Sequence, residues 1–218
     1  MKNLQELIQL MLNNGIGLII LAIVVYFAWH FGHIGLDFVQ QKAAGKKHDE
    51  LMQHRNEINI KIEEILQRLL LQSHACRAYV FEFKNGSYYL GGLGDFKMDC
   101  TYETLNGSAA SQMHSRQNMP FSLFQSFIDM LMAHDYLVMD VNNREKEYSA
   151  FVYETLVQRG ITKTVRAKIT DTRNKVIGYL GIDYCKDPVS EDIVRESVRL
   201  TQAAAIEIGS LLSVNQKK

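Results

Sequence analysis

Apolar residues follow three different rhythms along this chain. From Leu7 to Leu36 no Asp, Glu, Lys or Arg interrupts the sequence, and residues 15–30 are apolar on every helical face. At about 1.5 Å per residue, roughly 20 such residues match a hydrocarbon core of about 30 Å. Residues 15–36 therefore predict a transmembrane helix, with Tyr26 and Trp29 towards one end, where aromatic rings favour the interface. Ahead of it, residues 1–14 place Leu4, Leu7, Ile8, Met11 and Leu12 at helical spacing, an amphipathic lead-in. Within the span Gly15, Gly17, Ala28, Gly32 and Gly35 are small, which lets helix backbones approach. With Trp29 they are the candidate residues for spanning and oligomerisation. Residues 37–48 carry Lys42, Lys46 and Lys47 and read as a juxtamembrane linker, touching anionic headgroups or plainly solvated.

The second rhythm is helical and amphipathic. Over residues 49–72, Ile58, Ile62, Ile65 and Leu69 form one stripe, and in a closing helix capped by Ser190 the stripe is Val194, Val198, Ile208 and Leu212. Each stripe faces either its own domain or the same helix of a second copy. Between them the third rhythm alternates. Residues 75–83 and 96–104 read as strands, with Asn85-Gly86 as a turn signal. A polar connection without periodicity leads to Pro120 and a helix over 122–134, followed by a short strand over 136–141. A helix over 146–159 stops at Gly160, and two further strands cover 162–170 and 175–184, the last being the most apolar and so the most central. The architecture expected for residues 49–218 is α+β: a five-stranded, mostly antiparallel sheet with the first and last helices packed on one face.

Composition narrows the function. The 218 residues carry 24 Lys+Arg and 24 Asp+Glu, so there is no basic field of the kind nucleic-acid binding uses. Two prolines and no low-complexity run argue against disorder. Cys76, Cys100 and Cys185 show neither a disulfide framework nor zinc-ligand spacing; they are three small buried side chains, or one pair bridges outside the cytoplasm.

Catalytic constellations are missing at the level of motifs. The run GGLGD at 91–95 lacks the GK[ST] ending of a phosphate loop, and His74, His114 and His134 have no metal-ligand spacing. Asp99, Glu103 and Asp183 fall on the sheet and read as solvated edges or turn caps. No catalytic residue, metal or cofactor is expected, and the chain reads as non-enzymatic. Tyr88, Tyr89, Phe96, Met98, Tyr102 and Phe121 gather around the long connections. They line either a pocket for a small amphipathic ligand or a second core.

The element order, with YVFEF before Asn85-Gly86 and VIGYLGIDYCKDPVSEDIVR running into the last helix, resembles a GAF/PAS-type sensor domain over residues 49–214. The NKxnFxxxDE signature of cyclic-nucleotide-binding members is missing. The whole-chain plan of lead-in, span, coil-like helix and small domain resembles the single-span holins of T-even phages. That resemblance implies oligomers in the bacterial inner membrane that open lesions for an endolysin, with a periplasmic domain receiving a regulatory signal. Its partners are the bilayer, further copies, and a small ligand or regulatory protein, with no nucleic acid. The lysines at 42, 46 and 47 instead favour a cytoplasmic domain, so the side stays open. The alternative is a membrane-anchored GAF/PAS-type sensor or scaffold that dimerises and binds a small ligand.

Overall fold

The computed structural model describes residues 2–13, 15–88, 94–143, 149–185 and 189–213. The chain divides into two compact units, Met1–Asn56 and Glu57–Lys218.

In the first unit, helix α1 (Lys2–Asn13) is followed by α2 (Ile16–Ser73), with Gly15 between them in the left-handed region at φ +68°. Residues 37–48 contain no proline and are helical, part of α2. The expected single-pass membrane location is corrected here: among the described residues no helix is long and apolar enough to cross a membrane. Most of the large apolar side chains from Ile19 to Trp29 are exposed.

The second unit is built on a six-stranded sheet with the order β3-β2-β1-β6-β5-β4. The strands are β1 (Arg77–Tyr88), β2 (Gly94–Leu105), β3 (Met119–Pro120), β4 (Tyr136–Asp140), β5 (Lys163–Thr170) and β6 (Val176–Tyr184). All neighbouring strands pair antiparallel. The most apolar strand, β6, is central, with β1 on one side and β5 on the other. The sheet has six strands rather than five because residues 119 and 120 form an edge strand too short to show a period. Pro120 is tolerated there because an edge needs no second row of donors. The expected turn at Asn85-Gly86 is also displaced: β1 continues to Tyr88, which pairs with Gly94. A Cβ on Gly86 would run into the Asp95 carbonyl, so the glycine serves a close strand approach rather than a turn.

Two cores sit on opposite faces of this sheet. On the first, the last turns of α2 (Ile58, Ile62, Ile65, Leu66, Leu69) and the helix α5 (Glu191–Ser213) cover Val80, Val165, Leu180 and Ile182. A Cβ on Gly209 would strike the Thr170 carbonyl, so α5 lies directly against the end of β5. The second core holds Tyr79, Phe81, Met98, Cys100 and Tyr179 under the helices α3 (Gln125–Ala133) and α4 (Ala150–Gln158), with 3-10 turns at His114–Arg116 and Phe121–Phe124. The Ser149 side chain accepts from Val152 N to start α4, and Gly160, at φ +64°, lies just beyond its end.

Cys76 and Cys185 form a disulfide across 109 residues, tying the start of β1 to the end of β6. Their spacing carries no sequence signature, because the pairing is set by strand register. Cys100 is free and buried.

Candidate functional site

Strand alternation places Arg77, Tyr79 and Phe81 of β1, Tyr179 and Asp183 of β6, and Arg166 of β5 on the second face. Four arginines gather there. Arg77 lies at the centre: its Nε is 3.0 Å from Glu103 Oε1, though not aligned for a hydrogen bond, and its Nη1 donates to Asp183 Oδ2 at 3.2 Å. Its Nη2 donates to the Ala110 carbonyl at 2.8 Å. Asp183, fully buried, also accepts from the Tyr79 hydroxyl at 3.1 Å and lies 3.6 Å from Arg116 Nη2. Glu103 in turn accepts from Ser111 Oγ, Gln112 N and Met113 N, which fixes the turn that delivers Arg116.

The guanidinium groups of Arg116 and Arg166 stack on aromatic faces. Arg116 lies 4.8 Å from the centre of the Tyr79 ring, and Arg166 lies 4.6 Å from that of Phe127 and 5.7 Å from that of Tyr179. Gly181 is needed here, since a Cβ would overlap the Tyr79 ring. Between these groups is a cavity of about 20 Å³, walled by Phe81, Phe124 and Tyr179 and reached by Arg116, Arg159 and Arg166.

Burial disfavours the Arg166 charge, while the Asp183 carboxylate and a hydrogen bond to the Tyr79 hydroxyl favour it, and the pKa is raised. The Arg116 pKa is also raised, with burial opposing the charge and Asp183 favouring it. Arg159, at the end of α4, is pushed down to about 10 by burial and then by repulsion from Arg116 and Arg166. All three remain cations at neutral pH. Burial raises the Tyr79 and Tyr179 hydroxyls, so both tyrosines stay neutral.

The residues singled out from sequence are placed as follows. Ile58, Ile62, Ile65, Leu69, Val194, Ile208 and Leu212 are buried in the first core and Val198 packs against it, so both stripes are occupied within the domain. Ala28 and Trp29 are exposed, and Gly15 lies between α1 and α2 with a positive φ. Tyr89 lies outside the described residues, as do the side chain of Tyr88 and the exposure of Gly17, Gly32 and Gly35.

The aromatic set does not converge on one pocket. Met98 is buried in the second core, while Phe96 and Phe121 line an open groove of about 330 Å³ with Phe83, Lys84 and Lys175. Tyr102 points to the opposite face because a bulge at Thr101 shifts the pairing, Phe81 facing Cys100 and Val80 facing Tyr102. Of the three acids, Glu103 and Asp183 meet at Arg77, whereas Asp99 is held apart by Lys84 and Asn118. The arginines went unnoticed from sequence because an arginine in an alternating strand reads as the wet side. The signal available was its register: Arg77 shares parity with Tyr79 and Phe81.

No protein-family model and no curated protein matches this chain. Solved structures do. The GAF3 domain of Slr1393 from Synechocystis sp. PCC6803, in its photoproduct state, superposes with a TM-score of 0.55 at 13% identity, covering 73% of this chain and 95% of that one. The blue-light-absorbing form of the Thermosynechococcus elongatus PixJ GAF domain gives 0.55 at 9%, covering 75% and 91%. A far-red cyanobacteriochrome photoreceptor gives 0.53 at 14%, covering 82% and 97%. At these identities the likeness is one of fold: the second unit is GAF-like. These neighbours carry no information on the resemblance to phage holins.

Proposed function

We propose that the second unit is a GAF-type sensing domain that takes a small ligand on the face covered by α3, α4 and the two 3-10 turns. The observation that carries this reading is the buried arginine cluster around a walled cavity. Buried charges cost several kcal/mol each in desolvation, about as much as their pairing returns, and folding alone is served as well by apolar side chains. The fold neighbours described as photoreceptors make light sensing the obvious comparison. Two features favour a small ligand over a chromophore: the cavity is about 20 Å³, and the one free cysteine among the described residues, Cys100, is buried with its thiol pushed up to about 12.

The same strand offers an output route. Asp183 contacts Tyr79 and Arg116, which line the cavity, and the next residue, Tyr184, faces the other way, donating to the Ser73 carbonyl at the end of α2 (3.0 Å) and lying 2.6 Å from Ser197 Oγ on α5. A ligand that shifts Asp183 therefore acts on the ends of both covering helices. Thermal unfolding of the full chain against a library of small metabolites and salts, followed by hydrogen exchange, tests the proposal. The expected result is a compound that raises the midpoint and protects both the Phe121–Phe124 turn and the amides around Ser73. A library with no stabilising compound overturns it.

A further inference from the structure

Taking the covered face as the ligand site proposed above, we infer that its ligand is a small inorganic anion of halide size, held by Arg116, Arg159 and Arg166. The charge count points there first. Among the described residues the cluster holds four guanidinium groups, Arg77, Arg116, Arg159 and Arg166, against two carboxylates, Glu103 and Asp183. Both carboxylates are already shared: Glu103 by Arg77 and three loop donors, Asp183 by Arg77, Arg116 and Tyr79. Neither Arg159 nor Arg166 forms an ion pair with a described carboxylate.

Donor geometry points the same way. The Nε groups of Arg116 and Arg166 are buried without a hydrogen-bond partner among the described residues, on side chains that are 2% and 7% exposed. Buried charged donors left unpaired are among the costliest defects a fold carries. Water would satisfy the donors and leave the charge; an anion satisfies both.

Size selects the class. A space of about 20 Å³ accepts one particle not much larger than water. That suits a halide and excludes a nucleotide or a tetrapyrrole without rearrangement. Among the described residues no carboxylate lines the cavity to hold a cation, and the exclusion of water by Phe81, Phe124 and Tyr179 strengthens each guanidinium contact.

The full chain is unfolded thermally at constant ionic strength while sodium gluconate is exchanged for sodium bromide, so that surface screening is unchanged. Bromide at about 200 mM is expected to raise the midpoint by about 4 °C. The increment is expected to fall below about 1 °C in Arg159→Gln, a partly buried position at the end of α4, and in Arg166→Gln. Crystals grown in bromide are expected to show an anomalous peak bounded by Arg116, Arg159 and Arg166. A midpoint indifferent to the exchange together with no such peak overturns the inference. If a neutral compound then stabilises the protein, the sensing role stands and only the anion is lost; if nothing stabilises it, both fall.

Discussion

The two faces of the sheet use burial for different ends. Under α2 and α5 the core is almost entirely aliphatic, and its few polar groups answer one another, as Tyr184 does with Ser73 and Ser197. Under α3 and α4, the apolar core surrounds a cluster of four arginines and two carboxylates, with aromatic rings stacked on Arg116 and Arg166. Apolar burial contributes about 25 cal/mol per Å² without further conditions, whereas a buried guanidinium contributes only if its partners are complete. Both faces bury an apolar core, and the second adds charge that apolar burial does not call for.

That contrast is breakable. The largest effect is expected at Asp183, the group on which Arg77, Arg116 and Tyr79 converge. Asp183→Ala leaves two buried cations short of their counter-charge and is expected to cost about 4 kcal/mol in urea unfolding. A loss below about 1 kcal/mol would mean that the cluster is solvated and that the faces do not differ. On the first face, Leu66→Ala removes a side chain with no exposure and is expected to cost about 3 kcal/mol, with the urea slope unchanged. A much smaller loss would move the stabilising core elsewhere.

How much of this could be read from the residues differs between the faces in the same way. The stripes on α2 and α5 were legible because aliphatic side chains at helical spacing have one use, and the centrality of β6 followed from its apolar run. Three features were not legible, each for a physical reason. A two-residue edge strand at Met119–Pro120 has no period to detect. The bulge at Thr101 re-aims Tyr102, so parity counted from Phe96 or Met98 gives the wrong face. Cys76 and Cys185 meet only because β1 and β6 are neighbours, 109 residues apart in sequence. The arginine cluster has the same character: Arg77, Arg116, Arg159 and Arg166 come from four separate elements, and only the folded sheet brings them together, the last three at the cavity. The span expected from the uncharged run near the amino terminus was a reading of composition and length, and among the described residues no helix is both long and apolar enough to cross a membrane.

The measurement that bears most directly on the central claim is the stability of Arg166→Met in halide-free gluconate buffer. If this arginine is present for binding and not for folding, an apolar side chain of similar length on Phe127 and Tyr179 leaves the urea midpoint unchanged or raises stability by about 1 kcal/mol. A loss of about 3 kcal/mol or more would show that Arg166 is part of what holds the second face together, and would contradict the account.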